Sequence, residues 1–305
     1  MKNKIIYAIT GVILLLANFS MRVTSIDDTT LSLIEEVEAF DTTSLWEGFD
    51  TATYTKDIWY NFNKEYRYEA GTITEQVPDQ PVVSIEALKL AGEPLIKAIP
   101  YNKFRSIYEG QSAGSTEYMR AYYKSFFIHE SFHCYQMEHG LSLVYDISEK
   151  NEAAGDRPNE VLHAIEKLDD DKEYQKLWED EYMALLTLYN TAKADSYKKS
   201  QANRLRYIKT KFPDLYDDIY SYNSYKEFIE GTAELVQEKY LAEVTGADDK
   251  IQYEDRVFYT TDRTYYTEGA LKARILDKYN SSWRENLSFG EENNLDILLE
   301  RGNIL

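Results

Sequence analysis

The feature that most constrains this 305-residue chain is a pair of histidines four residues apart, His129 and His133, with Glu130 directly after the first. On a helix, residues at that spacing lie on one face, about one turn apart. Two imidazoles placed in this way can bind one Zn²⁺ through ring nitrogens, and Glu130 can reach a water that the metal polarises. The segment therefore predicts a helix that carries two metal ligands and a general base.

The residues around this motif are apolar or aromatic, which indicates a buried helix rather than a surface helix. They are Phe126, Phe127, Ile128, Phe132 and Tyr135. Two histidines and a glutamate buried together need compensation for their lost hydration, and a bound metal supplies it. Ser115 is a suitable N-cap and Gly140 a natural stop, so we expect the helix to extend over residues 116–138.

A catalytic zinc requires a third protein ligand and an open coordination position, and the sequence offers two candidates for that ligand. His139 stands at the eleventh position of the run that begins with His129, a spacing that resembles the metzincins. In that family the third histidine follows a turn formed at a glycine, whereas Gln136 stands at the turn position here. A helix that continues through Gln136 would carry His139 away from the metal.

The second candidate is Glu230, which opens the sequence Glu-Gly-Thr-Ala-Glu. Here the chain resembles the gluzincins, the thermolysin and aminopeptidase-like superfamily, which pair the HExxH motif with a glutamate from a second helix. Phe132 and Gln136 also resemble the HExFHxxQ form of the motif found in exported members. The resemblance implies that Glu230 binds the zinc and that Glu234, one turn later, orients His129.

Peptide hydrolysis also needs a group that stabilises the developing oxyanion. Gluzincins commonly use a Tyr or His that follows the glutamate ligand, and residues 263–271 resemble the Tyr-x-x-Gly segment of such families, with Gly269 placed before a helix. This segment offers Tyr265 and Tyr266, and we assign the role to Tyr266. The stretch between His133 and Glu230 is much longer than in thermolysin, so a helical insertion of about residues 141–222 would have to fold away from the metal.

The predicted fold class is α+β and zincin-like, with a small mixed sheet and the active-site helix followed by a mostly helical part. One zincin-like metallopeptidase domain is expected over residues 26–305. Strand-like patterns occur between residues 52 and 110, including residues 81–88 with Pro81 at their start. Further helices are predicted at residues 31–40, 158–210, 223–243 and 267–278.

The first 25 residues have the pattern of an export signal. Lys2 and Lys4 precede an almost wholly apolar run over residues 5–17, and residues 23–25 form a suitable cleavage site. The run is too short for a comfortable transmembrane helix, although an uncleaved N-terminal anchor is the alternative. We therefore expect a signal peptide over residues 1–25 and a secreted or extracytoplasmic protein.

The formal net charge of −19 argues against a nucleic-acid partner and against docking on anionic lipid, because an acidic surface repels phosphate groups. The expected function is that of an exported peptidase with one zinc per chain, acting on a peptide or protein substrate. The alternative is an exported binding or surface protein on a degenerate zincin fold. Glu130 favours the enzyme, since a protein that only binds metal does not need this residue.

Overall fold

The computed structural model describes residues 26–55, 58–61, 64–69, 71–77, 82–108, 115–143, 157–246, 261–285, 287 and 294–305. The predicted signal peptide lies outside these residues. None of the helices among them is both long and apolar enough to cross a membrane.

The chain divides into two units, and strands and helices are distributed unequally between them. The first unit comprises the residues up to Phe40 together with Ala52–Lys124, and the second comprises Asp41–Thr51 and Ser125–Leu305. All the described strands belong to the first unit, and most of the helices belong to the second. The predicted α+β class is therefore confirmed.

The first unit contains a five-stranded sheet. Its strands are β1 (Ile58–Asn61), β2 (Glu65–Glu69), β3 (Thr72–Gln76), β4 (Ile85–Leu90) and β5 (Glu93–Ala98). They lie in the order β3-β2-β1-β5-β4, with β1 and β5 parallel and the other pairs antiparallel, so the sheet is mixed as predicted. The strand expected over residues 81–88 begins later, at Ile85, where pairing with Ala98 starts.

Three helices of the first unit precede the motif helix: α1 (Asp28–Glu38), α2 (Thr51–Tyr54), whose first residue belongs to the second unit, and α3 (Tyr101–Tyr108). The next helix, α4 (Thr116–Glu138), starts in the first unit and continues into the second. Its Tyr123 hydroxyl donates a hydrogen bond to the Ile99 carbonyl, directly after β5. The buried tyrosine thus fixes the first half of α4 to the end of a strand.

The second unit continues with α5 (Arg157–Asp169), α6 (Lys172–Thr191), α7 (Asp195–Lys211), α8 (Tyr216–Thr245), α9 (Thr261–Tyr279) and α10 (Leu295–Arg301). The helical pattern over residues 158–210 is divided into three helices, because Asp171 caps the start of α6 and Ala192 adopts a left-handed conformation at its end. The helices predicted at 223–243 and 267–278 are present and longer than predicted, as α8 and α9.

The predicted insertion contains helices α5, α6 and α7, which share a core with the first turns of α8. This core includes Val161, Ala164, Ile165, Leu168, Tyr174, Trp178, Ile208 and Ile219. A buried ion pair joins α7 to α6, where the Arg204 guanidinium donates to the Glu181 carboxylate and lies over the Trp178 ring at 3.8 Å. None of the residues of this core is a candidate metal ligand.

Candidate metal centre

The motif helix α4 begins and ends as the sequence predicts. The Ser115 hydroxyl accepts a hydrogen bond from the Tyr118 amide at the N-terminus. At the C-terminus Gly140 has φ +96, a left-handed conformation that suits glycine, and the Leu141 amide returns to the Gln136 carbonyl. Both histidines of the motif are buried.

The apolar side of α4 is held by a turn that precedes the sheet in the sequence. The Phe132 ring lies 4.8 Å from the Trp46 ring and 5.2 Å from the Phe49 ring. Within this turn the Thr42 hydroxyl donates to the Phe49 carbonyl at 2.6 Å. These aromatic contacts fix the rotation of α4 about its axis, and thereby the direction in which the histidines point.

Glu230, on helix α8, meets the two histidines. Its Oε2 lies 3.2 Å from His133 Nε2 and 3.8 Å from His129 Nε2, and all three side chains are buried. For ligands about 2.0–2.1 Å from a tetrahedral zinc, the expected ligand–ligand separation is about 3.3 Å. Among the described residues, these three form the group of His, Cys, Asp or Glu that could hold a metal ion. Two imidazole nitrogens and a carboxylate oxygen are donor atoms that zinc takes, and the three lie within 4.8 Å of one another.

His139, the competing candidate, does not reach this group. Helix α4 continues without a turn at Gln136, and His139 is exposed beyond its end. Its Nδ1 lies 2.8 Å from the Tyr135 carbonyl, so the imidazole is bound to the helix terminus. The structure therefore brings Glu230, and not His139, to the histidine pair.

Glu234 lies near His129, the imidazole that it was predicted to orient. Its Oε2 is 3.9 Å from His129 Nδ1, which is longer than a hydrogen bond. That buried Nδ1 has no hydrogen-bond partner in the part of the chain that the structure describes. The predicted hydrogen bond between Glu234 and His129 is thus not formed, and it would form if the two atoms came about 1 Å closer.

Gln136 contacts the site, although in the sequence it served only for comparison with the metzincins and the gluzincins. Its Oε1 lies 2.7 Å from His133 Nδ1, while its Nε2 donates to the Ile229 carbonyl and the Thr232 hydroxyl of α8. Its position three residues after His133 was the available signal, since such residues are neighbours on a helix. Gln136 therefore links a metal-ligand candidate directly to the helix that carries Glu230.

Lys226 is a second contact that sequence reasoning missed, although its spacing four residues before Glu230 was visible. Its Nζ donates to Glu230 Oε1 at 2.6 Å and leaves Oε2 towards the histidines. Burial opposes ionisation of Glu230, but the two imidazoles and the Lys226 ammonium outweigh it and hold the pKa of this carboxyl well below its usual range. The carboxylate is thus present in the form that binds a metal.

The structure separates the two tyrosines of residues 263–271. Tyr265 is fully buried and its hydroxyl donates to Asn223, so it is a packed core residue. The Tyr266 ring is stacked on the His129 ring at 5.7 Å. Burial, repulsion by the Glu230 charge and a hydrogen bond to that carboxylate raise the pKa of Tyr266 far above its usual value. The phenol is therefore a proton donor beside the candidate metal ligands.

No protein-family model, curated protein or solved structure matches this chain. The resemblance to gluzincins therefore depends on the motif residues and on their arrangement. Glu130, the candidate base, is partly exposed, and its charge acts on the Tyr266 phenol. The potential base and the potential oxyanion donor thus lie close to the same group of ligands.

Two glycines allow α8 and α9 to approach closely enough to bring Tyr266 to Glu230. A Cβ on Gly231 would lie 2.3 Å from the Gly269 Cα, and a Cβ on Gly269 would lie 2.2 Å from the Glu227 carbonyl oxygen. The prediction that Gly269 precedes a helix was wrong, because it lies inside α9 (Thr261–Tyr279). Its lack of a side chain serves helix packing rather than a turn.

A buried charged cluster joins α8, α9 and α10 near this crossing. The Lys272 ammonium, fully buried, donates to Glu227 at 2.6 Å and to Asp296 at 3.1 Å, and lies 3.3 Å from Glu268. Burial, opposed by Lys272 but reinforced by the charges of Glu181 and Glu227, raises the pKa of Glu268 well above its usual value. Glu268 is therefore a buried carboxylic acid that favours its neutral form.

Proposed function

We propose that this chain is a zinc-dependent peptidase of the gluzincin type, with a zincin-like fold and one zinc per chain. The ligands are His129, His133 and Glu230. The observation that carries the proposal is the convergence of two imidazole nitrogens and one carboxylate oxygen, from two helices, in a buried site. Three protein ligands with a position left open are characteristic of catalytic rather than structural zinc.

The side chains around this group support peptide hydrolysis. When bound, zinc supplies Lewis acidity and lowers the pKa of a coordinated water towards neutrality. Glu130 accepts the proton of the attacking water and delivers it to the departing amine. The Tyr266 phenol donates a hydrogen bond to the oxygen of the scissile carbonyl as it becomes an oxyanion. Glu234, 3.9 Å from His129 Nδ1, would orient this imidazole once the two atoms come within hydrogen-bond distance.

The alternative function is that of a binding or surface protein on a degenerate zincin fold. One observation favours it: Lys226 already compensates the charge of Glu230, so the buried carboxylate has a partner without a metal. Against it, Lys226 contacts Oε1 only, and the two imidazoles converge on Oε2. Because these atoms belong to one carboxylate, Lys226 and a metal could be accommodated together.

Zinc content and cleavage of a peptide library by purified variants test the proposal. The wild-type chain should contain one zinc and cleave peptides. His133→Ala should lose zinc and activity, whereas His139→Ala should retain both, because this exposed histidine of the same region does not reach the site. Glu130→Gln should retain zinc but lose activity by about 10²–10⁴-fold, the range typical of general base catalysis.

Three results would contradict the proposal in different ways. Zinc loss in His139→Ala with retention in Glu230→Gln would support the metzincin arrangement. Undiminished cleavage by zinc-loaded Glu130→Gln would refute the assigned base. A zinc-containing wild type that cleaves no peptide would favour the binding protein. Export through residues 1–25 and an extracytoplasmic location remain predictions from the sequence, and N-terminal sequencing of the protein from its producing cell tests them.

A further inference from the structure

We propose that Gln136 is a positioning residue that fixes the tautomer of His133, so that its Nε2 presents a lone pair to the metal. The inference rests on the proposed function for the identity of the metal site. The effect of Gln136 on the tautomer of His133 is detectable in the metal-free protein. The side chain is fully buried, so its hydrogen bonds do not compete with water.

The orientation of the Gln136 amide follows from its partners on α8. Its nitrogen lies 3.1 Å from the Ile229 carbonyl oxygen, and a backbone carbonyl can only accept a hydrogen bond. The amide group of the side chain must therefore point its NH₂ towards Ile229. Its carbonyl oxygen, Oε1, then necessarily faces His133 Nδ1 at 2.7 Å.

Thr232 provides a second, independent constraint on the same amide. Its hydroxyl lies 2.8 Å from Gln136 Nε2 and donates its own proton to the Phe228 carbonyl at 2.7 Å. Because that proton is used within α8, the hydroxyl can only accept from Gln136. A flipped amide would place its oxygen against the Ile229 carbonyl oxygen and against a hydroxyl whose proton is committed elsewhere.

The proton position on His133 follows from this orientation. Since Oε1 is an acceptor, Nδ1 of His133 must carry the hydrogen and donate it. In a neutral imidazole the other nitrogen, Nε2, is then unprotonated. That nitrogen lies 3.2 Å from Glu230 Oε2, in the candidate metal group. Whenever the His133 ring is neutral, Gln136 thus selects the tautomer that can bind a metal.

The two histidines differ in this respect. His129 Nδ1 has no hydrogen-bond partner among the residues that the structure describes, and Glu234 stands 3.9 Å from it. His133 is therefore the ligand that is oriented in advance. Because the same amide is bonded to Ile229, directly before Glu230, it also fixes the separation between His133 and the third ligand.

Side-chain ¹⁵N NMR of the zinc-free protein measures the tautomer directly, at a pH at which the ring-nitrogen shifts themselves show a neutral imidazole. In the wild type, His133 should be protonated at Nδ1. Gln136→Met removes the polar group at similar volume and should increase the Nε2-protonated population. Gln136→Glu in its protonated form should preserve the wild-type tautomer, because its hydroxyl can donate to the Ile229 carbonyl while its other oxygen accepts from Nδ1.

Zinc affinity, measured by competition with a chromophoric chelator, is the second measurement. Gln136→Met should weaken zinc binding by about 10–100-fold, the range found for partners of metal-bound histidines. Gln237→Leu is the matched control, because Gln237 also joins α8 to α4 through a buried amide, donating to Ser125 at 3.0 Å. It should lower the free energy of unfolding without changing the His133 tautomer or the zinc affinity.

A neutral His133 that carries its proton on Nε2 and not on Nδ1 in the wild type would overturn the proposal, even if Gln136→Met does not fold. Equal losses of zinc affinity in Gln136→Met and Gln237→Leu would reduce Gln136 to a packing residue, and overturn it as well. Failure of the proposed function is a separate result. A wild type that binds no zinc but shows the predicted tautomer, lost in Gln136→Met, would refute the zinc peptidase while leaving the positioning role of Gln136 intact.

Discussion

Gly231→Ala perturbs the crossing of α8 and α9 with a single methyl group. The added Cβ would lie 2.3 Å from the Cα, 2.4 Å from the carbonyl carbon of Gly269 and 2.7 Å from the Ala270 nitrogen. Ordinary contact between carbon atoms is about 3.5 Å or more, so the helices must separate by at least about 1 Å. All three neighbours are backbone atoms, which cannot rotate away as a side chain can.

The magnitude follows from two opposing terms. Overpacking costs about 1–3 kcal/mol, and the rigid backbone neighbours place this site at the upper end. Replacing glycine by alanine inside a helix returns about 1 kcal/mol. We expect a net destabilisation of about 2 kcal/mol, and a fall in melting temperature of roughly 4–8 °C measured by differential scanning calorimetry. Zinc affinity should fall too, because Glu230 adjoins the altered residue.

The matched control is Gly246→Ala, at the C-terminus of the same helix. Gly246 has φ +63 and no atom within 4 Å of an added Cβ, so only backbone strain of about 1 kcal/mol is expected there. Zinc affinity should be unchanged in this control. If Gly231→Ala were no less stable than Gly246→Ala and bound zinc equally well, the close crossing would not be what positions Glu230 and Tyr266.

Two further predictions concern helix α9. Tyr266→Phe should lower kcat by about 10²–10³-fold while leaving zinc content unchanged, and an unaltered kcat would remove Tyr266 from the mechanism. Glu268 faces Lys272, Glu181, Glu227 and Arg204, and its pKa in the folded protein is raised. The contribution of Glu268 to stability is therefore complete below the pKa of about 4.3 that a glutamate has in the unfolded chain. This contribution is lost as the pH rises from that value towards the pKa in the folded protein. Glu268→Gln should therefore lose less stability than the wild type between about pH 5 and pH 8, measured by urea unfolding, and a steeper loss would contradict this.

The motif helix could be predicted from sequence because its signals are local. The cap at Ser115, the stop at Gly140 and the spacing of His129 and His133 all lie within one element. Local chemistry was sufficient for these parts of the site.

The contacts between helices could not be predicted in the same way. The role of Gln136 depends on Ile229 and Thr232, which are distant in sequence and become neighbours only in the folded chain. Lys226 and Glu230 have a spacing that is common on solvated helices, so it did not identify an ion pair with a buried carboxylate. Tyr266 was selected by resemblance, and only the packing of α9 distinguishes it from Tyr265.

The lengths of α8 and α9 were underestimated for a related reason. Ionisable residues such as Glu227, Glu268 and Lys272 are fully or almost fully buried, and Lys272 contacts both carboxyl groups. In the sequence they interrupt the apolar periodicity by which helices are identified. A helix that is buried on most sides shows little difference in polarity between its faces. A helix predicted from that difference is therefore shorter than the real one.

The turn at residues 41–51, which carries Trp46 and Phe49, affects how the chain folds while it is being synthesised. Residues 41–51 belong to the second unit, although the chain on both sides of them belongs to the first. Trp46 contacts Phe132 and lies against Arg284 and Trp283. During synthesis this turn leaves the ribosome well before Phe132, Trp283 and Arg284 do. Until then its aromatic rings are exposed to solvent, which favours aggregation of the nascent chain. A fragment that starts at Ser125 would lack this piece of its own core, so no single cut of the chain separates the two units.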